Sequence, residues 1–413
     1  MTTNNSALAG IRVIDMSRVF AAPVGGQILG DLGADVIKIE RPKVGDDGRG
    51  YGTAWIKGRD GIETRQSSFF TVSNRNKRSI TLNHSKPEGQ EILRKLAETA
   101  DVLIENYKVG DLKRFGLDYE SLKKINPRLI YCSVTGFGQT GPSAALPGYD
   151  GLFQAQGGMM AVTGIPDGQP GAGPLKAGPS LVDFITGHNT ALAILGALMY
   201  RERTGEGQYI DIALLDTSVA MVSHIMQDYL ISGFAPPRLG NGGNGGGPAD
   251  LLHASDGIVY LTAGTDEHYR RLTVLMDQPE LFTDPRFDSN FKRARSGQAE
   301  LIAIINEWSR QFTVTDLLAK FDSVGIPAAK YNELEDVWED PQVQYRNLRA
   351  TTPHAHAEAG SVDLIASPLA QMSASPATIR RAPPMLGEHN SEVLNELGYS
   401  DERIAELQEL GII

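Results

Sequence analysis

Short apolar segments alternate with segments of helical pattern along the first third of the chain. The strand-like segments are residues 11–16, 36–40, 79–83, 102–105 and 129–134, and the helical ones are residues 23–32 and 87–97. Strands that are separated by helices return to the sheet in the same direction, so they pair in parallel. The alternation therefore predicts an α/β fold with a doubly wound parallel sheet.

A glycine-rich segment divides the rest of the chain. Residues 240–248 read GNGGNGGGP, a composition that favours a loop and indicates a domain boundary. The patterns on either side predict strands at 208–213 and 258–263 and helices at 181–200, 214–232, 267–276, 295–312, 314–323, 391–397 and 401–410. The elements beyond the loop predict a smaller α+β domain over residues 255–330.

Charge, hydropathy and cysteine content narrow the class of protein. The net charge is −11 and the pI is about 5.3, so a nucleic-acid or anionic-membrane partner is not expected. The most apolar stretch, residues 191–200, is about half as long as a membrane span requires. Cys132 is the single cysteine, which excludes an intrachain disulfide and fits a reducing compartment. We therefore expect a cytoplasmic protein.

The motifs of several common enzyme classes are missing. Residues 17–23 follow the first strand without the Gly-x-Gly-x-x-Gly pattern that brings a backbone close to a pyrophosphate, so a nicotinamide-dependent dehydrogenase is not expected, although Glu40 ends the second strand. The chain also has no P-loop and no Gly-x-Ser-x-Gly elbow. Its histidines lack metal-ligand spacing, and we interpret His354 and His356 as parts of a solvated loop. No metal site is predicted.

Polar side chains near the ends of predicted strands suggest an anion site. The candidates are Arg41, Arg75, Lys77, Arg78, Asn106 and Arg114. The basic run at residues 75–78 fits either a solvated loop or a set of phosphate ligands. Because ligands of open α/β sheets bind at the carboxyl ends of the strands, the six residues together suit a polyphosphate ligand.

Asp183 stands at the predicted start of the apolar helix 181–200. One interpretation is structural, because Ser180 as N-cap with an acidic residue three positions later resembles a capping box. The other is functional, because a carboxylate near a flexible glycine loop suits a covalent nucleophile. The residues alone leave both interpretations open.

Ordered motifs over nearly the whole chain resemble the class III CoA-transferases, the family of formyl-CoA:oxalate and carnitine CoA-transferases and of α-methylacyl-CoA racemase. The matching segments are residues 8–15 (LAGIRVID), 30–41 (GDLGADVIKIER), 76–80 (NKRSI), 102–107 (VLIENY) and 386–394 (LGEHNSEVL). The sequences of residues 41–47 and 131–142 are most similar to those of the branch that transfers CoA between succinyl-CoA and dicarboxylates.

The resemblance implies roles for individual residues. It implies that Asp183, in the segment GPSLVD of residues 178–183, is the nucleophile. A mobile loop that includes Gly245, Gly246 and Gly247 would cover the site and supply backbone donors. The residues implied to contact CoA or line its path are Val19, Ala21, Arg41, Arg75, Lys77, Arg78, Asn106, Arg114, Tyr149 and Asp150.

The resemblance also implies an assembly of two interlocked identical subunits. Each would have a Rossmann-like large domain, built from both chain ends, and a smaller α+β domain. On this basis we expect the first part of the large domain at residues 1–215 and a linker with the glycine-rich loop at 216–254. The small domain is expected at 255–330, and a linker with the return to the large domain at 331–413.

The expected reaction is transfer of CoA from an acyl-CoA, by analogy succinyl-CoA, to a small carboxylic acid such as a dicarboxylate. CoA thioesters are substrates here, and no permanently bound cofactor is expected. A second substrate carboxylate needs a cation, for which Arg18 and Arg49 are alternatives. Phe20 replaces a glutamine of the formyl-CoA branch, which argues against an oxalate-type substrate. The alternatives are a racemase, disfavoured because Tyr149 replaces its histidine, and a protein that only binds CoA.

Overall fold

The computed structural model describes residues 6–243 and 245–413. The strands are β1 (Arg12–Asp15), β2 (Asp35–Glu40), β3 (Trp55–Lys57), β4 (Glu63–Ser67), β5 (Lys77–Thr81), β6 (Val102–Glu105), β7 (Ile130–Thr135), β8 (Gly164–Ile165), β9 (Gly173–Pro174), β10 (Tyr209–Ala213), β11 (Ala249–His253), β12 (Ile258–Thr262), β13 (Ala328–Lys330), β14 (Arg349–Pro353) and β15 (Ser361–Ile365). The α-helices are α1 (Ala21–Asp31), α2 (Ser68–Asn74), α3 (Pro87–Thr99), α4 (Tyr119–Leu122), α5 (Asp150–Gln156), α6 (Met159–Val162), α7 (Leu181–Thr204), α8 (Leu214–Met221), α9 (Ser223–Ser232), α10 (Asp266–Leu275), α11 (Asn290–Ala294), α12 (Gln298–Ser309), α13 (Val314–Ser323), α14 (Leu334–Glu339), α15 (Pro341–Tyr345), α16 (Asn390–Glu396) and α17 (Asp401–Glu409).

A six-stranded parallel sheet organises the first of two compact units. Its strand order is β10–β7–β6–β1–β2–β5, and all neighbouring pairs run in the same direction. This confirms the predicted α/β class with a parallel central sheet. The unit comprises the described part of Met1–Gly157 together with Gly178–Met221 and Gln342–Ile413. All strands of the sheet therefore end at a common edge, which is where open α/β sheets bind ligands.

Alternate side chains of the sheet strands are buried on opposite faces, as expected for a parallel sheet covered on both sides. Ile14 and Ile37 pack in one cluster with residues of α3, α16 and α17. Val13 and Val36 pack in the other cluster with residues of α1 and α7. Apolar residues therefore recur along these strands, although β2 and β5 also contain the charged residues Lys38, Lys77 and Arg78.

Helices α1 and α7 approach each other closely because glycines face the contact. A Cβ on Gly25 would lie 2.8 Å from Thr190 Cγ2, and a Cβ on Gly187 would lie 2.6 Å from Val24 Cβ. The two helices begin near the same edge of the sheet. The glycine contact therefore fixes the first turn of α7, which carries Asp183, beside the loop that leads into α1.

Helix α7 is the one described helix that is long and apolar enough to cross a membrane by length and composition, with 24 residues and a mean hydropathy of 1.3 over an 18-residue window. In the first unit it packs against α1, β7 and β10. Some of its large apolar side chains remain exposed, among them Leu192 and Met199 at 69% and 68%.

The second unit comprises Gly158–Ala177 and Val222–Pro341. Its antiparallel sheet has the order β11–β12–β13, and helices α10, α12 and α13 contribute to its core with Tyr269, Leu301 and Phe321. The segment 255–330, in which the sequence indicates a small α+β domain, lies inside this unit.

Two predicted elements differ from the structure. The helix expected over 214–232 is two helices, α8 and α9, separated at Val222. The strand expected at 79–83 begins earlier, at Lys77, because the charged side chains of Lys77 and Arg78 are buried in ion pairs instead of facing solvent. A hydropathy pattern cannot detect strand residues of that kind.

Candidate active site

A cavity of about 300 Å³ opens at the carboxyl edge of the parallel sheet. Its walls come from the loop after β1, the loop after β6, the end of β7 and the segment before α5, and Asp183 is one of its lining residues. Two residues predicted to lie on the CoA path, Val19 and Ala21, also line it, as does Tyr149. The first unit thus brings the predicted nucleophile and part of the predicted CoA path into one cavity.

Asp150 caps the helix that carries Asp183. One carboxylate oxygen of Asp150 accepts the backbone N–H groups of Val182 and Asp183 at 2.8 and 3.2 Å. Ser180 occupies the N-cap position of α7 but makes no side-chain capping bond. The capping-box interpretation of Ser180 and Asp183 is therefore wrong, because the acceptor comes from α5. The carboxylate of Asp183 is left free to face the cavity.

The environment of Asp183 disfavours its charge. Burial, and secondly the negative charge of Asp150, raise the pKa of Asp183 to about 7. No donor among the described residues makes a hydrogen bond to its carboxylate. A partly buried carboxylate without a partner is costly to maintain, and such groups are common at functional sites. Near neutral pH the group therefore exists in both protonation states, and the ionised one is a poorly solvated oxygen nucleophile.

The loop between β1 and α1 has a strained backbone. Val19 has φ +72°, a conformation that a β-branched residue rarely adopts. Asn106 holds the preceding residue from both sides: its Oδ1 accepts the N–H of Arg18 at 2.9 Å, and its Nδ2 donates to the carbonyl of Arg18 at 2.8 Å. Asp46 accepts the N–H of Val19 at 2.8 Å. These bonds offset the strain and fix this part of the cavity wall.

Buried ion pairs support this loop from below. Lys38 lies 2.8 Å from Asp46 and donates to the carbonyl of Ser17 at 2.9 Å, and Lys77 lies 2.7 Å from Asp15. Burial opposes the charge of Lys38, but the carboxylates of Asp46, Asp15 and Glu40 raise its pKa. Burial lowers the pKa of Lys77 to about 8. Removing one partner of such a pair leaves an uncompensated charge, so the pairs hold the loop firmly.

The basic run at residues 75–78 is internal. Arg75 makes a two-pronged pair with Asp31 at 3.0 and 2.6 Å, and Arg78 pairs with Asp35, Glu392 and Glu396. Because these side chains are almost fully buried, the solvated-loop interpretation is wrong. None of Arg75, Lys77 and Arg78 lines the cavity. Their contact with CoA stays a prediction.

The other predicted ligands lie nearer the surface. Arg41 donates to the carbonyl of Gly45 at 3.2 Å and pairs with Asp47, a cavity residue. Arg114 pairs with Asp111 at 3.1 Å and is largely exposed. Asn106 lines the cavity, but its amide is engaged with Arg18.

Several lining residues escaped the sequence reasoning. Tyr51, Tyr107 and Lys108 all face the cavity. Tyr107 and Lys108 directly follow β6, so the rule that ligands bind at the carboxyl ends of strands was a usable signal for them. Tyr51 follows a loop with no such marker, and its ring contacts Phe69 with centroids 5.8 Å apart.

Comparison with known proteins identifies the family. Residues 8–390 match the profile of CoA-transferase family III. The chain belongs to this family. Among relatives of this transferase, the succinate–glutarate CoA-transferase of Agrobacterium fabrum is 42% identical over 96% of the chain and 97% of the relative. The succinyl-CoA:glutarate CoA-transferase of Homo sapiens is 35% identical over 99% of the chain and 90% of the relative.

Solved structures agree with this assignment. A CaiB/BaiF family protein from Brucella suis is 40% identical and has a TM-score of 0.84, with coverage of 95% of the transferase and 100% of that protein. The extent of these matches confirms the resemblance that the sequence motifs indicate. The protein is an enzyme of the CoA-transferase type, and acyl-CoA is its substrate.

The second unit of the transferase contains the predicted loop residues. The N–H of Gly247 donates to Asn290 Oδ1 at 2.9 Å, and the carbonyl of Gly247 accepts Arg293 Nε at 3.0 Å. A Cβ on Gly246 would lie 2.4 Å from the carbonyl oxygen of Gly264, whereas a Cβ on Gly245 would meet nothing within 4 Å. Gly246 and Gly247 are therefore closely packed within the second unit, and of these three glycines Gly245 alone has open space at its Cβ position.

His354 is buried, with 4% of its surface exposed. Its Nδ1 accepts the N–H of Ala357 at 3.1 Å, and its Nε2 lies 3.1 Å from Gln66 Oε1. The interpretation of this histidine as part of a solvated loop is therefore wrong. Within residues 6–243 and 245–413, no group of three or more potential ligands is arranged to hold a metal ion.

Proposed function

We propose that this transferase moves CoA from succinyl-CoA to a small dicarboxylic acid, such as glutarate, through covalent intermediates on Asp183. The observation that carries the proposal is the carboxylate of Asp183 in the cavity, without a donor and with a pKa raised to about 7. Relatives named for succinyl-CoA and glutarate, citramalate or mesaconate support the substrate class. An unpaired carboxylate in a partly enclosed site suits attack on a thioester.

The proposed chemistry conserves the energy of the thioester at each step. A carboxylate oxygen of Asp183 attacks the thioester carbon, the C–S bond breaks, and a mixed anhydride and CoA thiolate result. The thiolate attacks Cγ of Asp183 and releases the donor acid, which leaves an aspartyl-CoA thioester. The acceptor carboxylate attacks this thioester and expels CoA thiolate. Finally the thiolate attacks the acceptor acyl carbon and restores the carboxylate of Asp183.

Closure of the site is part of the proposal, because water hydrolyses anhydrides. Gly245, Gly246 and Gly247 belong to the segment proposed to cover Asp183 and to donate N–H groups to developing oxyanions. In this unit the N–H of Gly247 is engaged by Asn290, so that donor becomes available only if the segment rearranges. Hydrogen exchange at Gly245 to Gly247, with and without acyl-CoA, tests this movement.

We further propose an interlocked homodimer in the cytoplasm. Exposed apolar side chains on α7, and on α9 at Leu230 and Ile231 with 68% and 78% of their surface exposed, support an additional covered surface. Light scattering of the purified protein tests the dimer, and fractionation of the source cells tests the location. A monomer at micromolar concentration would contradict the proposed assembly.

Intact-protein mass spectrometry tests the covalent mechanism. Wild type and Asp183→Ala are mixed with succinyl-CoA, with and without hydroxylamine. We expect a CoA or succinyl adduct on wild type only, and we expect hydroxylamine to remove it. Transfer of CoA by Asp183→Ala at the wild-type rate would refute the nucleophile. Exchange of an α-proton without any transfer of CoA would instead support a racemase.

A further inference from the structure

A dicarboxylate substrate poses a problem of charge that the proposed function leaves open. While one carboxylate reacts at Asp183, the distal carboxylate lies in the same partly enclosed cavity. A buried anion needs a cationic partner with good hydrogen-bond geometry. The following inference rests on the proposed function and concerns the residue that meets this need.

Arg49, one of the two residues predicted from the sequence to bind a second carboxylate, is engaged in a buried ion pair. Its Nε and one terminal nitrogen donate to the two carboxylate oxygens of Glu40, both at 2.7 Å. Its guanidinium stacks on Phe70 at 3.7 Å, and only 1% of its side chain is exposed. Arg49 does not line the cavity. It therefore supports the fold and cannot reach a substrate without losing a buried ion pair.

Arg18, unlike Arg49, is not fully engaged in a buried ion pair. It lines the cavity together with Asp183. Its Nε is buried and has no acceptor among the described residues, and its ion pair with Asp47 is long, at 3.3 Å, with 31% of the Arg18 side chain exposed. The guanidinium lies over the ring of Tyr107 at 5.1 Å. Arg18 is thus held in place by its surroundings while part of its donor set is free.

The charge balance around Arg18 favours an anion. Asp47 is shared by two arginines, Arg18 and Arg41, so the three side chains carry a net positive charge. Of the described cavity residues, only Arg18 and Lys108 are cationic. Arg41 lies outside the lining and is one of the residues that the family resemblance implies for binding CoA. Lys108 offers a compact charge without the planar fork that matches a carboxylate.

We propose that Arg18 binds the distal carboxylate of the dicarboxylate substrate and so determines the acid that the enzyme accepts. The exposed part of the guanidinium donates to the carboxylate, and Asp47 and Tyr107 keep the group oriented. Arg18 thereby separates dicarboxylates from monocarboxylates of equal length.

A competition experiment tests this role. Glutarate and pentanoate have the same number of carbons and differ in one terminal carboxylate. Both acids are mixed in one tube with saturating succinyl-CoA and enzyme, and the ratio of the two acyl-CoA products is measured by mass spectrometry. Because both acids compete for the same enzyme-CoA intermediate, the ratio does not depend on the donor step.

We expect Arg18→Gln to lower the glutarate-to-pentanoate ratio by about 10- to 100-fold, the effect of a lost charge-assisted hydrogen bond. Arg18→Lys should retain part of the selectivity, since it keeps the charge and loses the fork. Lys108→Gln is the matched control and should leave the ratio at the wild-type value. Thermal melting of each variant shows whether it is folded.

Two results would overturn the inference. In one, folded Arg18→Gln keeps the wild-type ratio, whether or not its overall rate falls. In the other, Lys108→Gln collapses the ratio. Failure of the proposed function is distinguishable, because wild type would then form no adduct at Asp183 and no product from either acid.

Discussion

Replacing Asp183 by asparagine should stabilise the protein while it abolishes transfer. Burial raises the pKa of Asp183 from 3.8 to about 7, and each unit corresponds to about 1.4 kcal/mol, so the ceiling of the effect is about 4 kcal/mol. Water in the open cavity screens the charge, and we expect about half of this, ~2 kcal/mol. Asparagine has the same shape and carries no charge to desolvate.

The pH dependence follows from the sign of the shift. The folded protein keeps the proton on Asp183 up to a higher pH than the unfolded chain does, so this group stabilises the fold below pH 4 relative to higher pH. That contribution is lost as the pH rises towards about 7. The advantage of Asp183→Asn over wild type should therefore grow between pH 5 and pH 8.

Thermal melting at the two pH values measures the effect. At pH 8 we expect the melting temperature of Asp183→Asn to exceed that of wild type by about 2 °C, with a smaller difference at pH 5. Asp228→Asn, at an exposed aspartate of α9, is the control and should show no such trend. A wild type that is as stable as Asp183→Asn at pH 8 would refute the reasoning, because the charge would then be well solvated or hydrogen-bonded.

Three further changes test the site. Asp150→Asn should move the acid limb of kcat/KM, measured from pH 5 to 9, to lower pH, because the negative charge of Asp150 raises the pKa of Asp183 and an amide oxygen still caps α7. Gly187→Ala should lower the melting temperature by several degrees, a cost of about 1–3 kcal/mol, because the new Cβ would lie 2.6 Å from Val24 Cβ. Asn106→Ala should reduce kcat by about 10-fold with little change in KM for acyl-CoA. The reason is that the backbone of Arg18 loses both of its hydrogen bonds to the side-chain amide of residue 106.

Each of these changes has a discriminating outcome. An acid limb that stays in place for Asp150→Asn would show that the charge of Asp150 is not felt at Asp183. Gly196→Ala on the same helix has nothing within 4 Å of its Cβ and should stabilise by up to about 1 kcal/mol. Equal losses for both glycine variants would contradict the role of close helix packing. A large rise in KM for acyl-CoA in Asn106→Ala would indicate that Asn106 contacts the nucleotide.

The parallel sheet was predictable because β1, β6 and β7 are buried on both faces and therefore read as short apolar runs between helical patterns. The helix break at Val222 was not, because no proline or glycine interrupts the residues on either side of it. Asp183 was found as a candidate from its place before an apolar helix. Its capping partner was missed because Asp150 lies 32 positions earlier than Val182, beyond any local motif.

The ion-pair partners of the arginines could not be predicted from the sequence. Arg75 finds its carboxylate 44 positions away, and Arg78 finds one of its partners 318 positions away. A run of basic residues therefore gives no information about whether its charges are free. Arg18 and Arg49 were equivalent candidates in the sequence, and the structure separates them, because Arg49 is buried against Glu40 whereas Arg18 lines the cavity.

The two helices at the end of the chain have a consequence for biosynthesis. Val393 and Leu394 of α16, and Ile404 and Leu407 of α17, cover the same sheet face as Ile14, which leaves the ribosome first. Translation proceeds at roughly 5–20 residues per second, so tens of seconds pass between the synthesis of Ile14 and that of α16 and α17. The part of this apolar face that α3 does not cover therefore stays exposed on the nascent chain until α16 and α17 have been made.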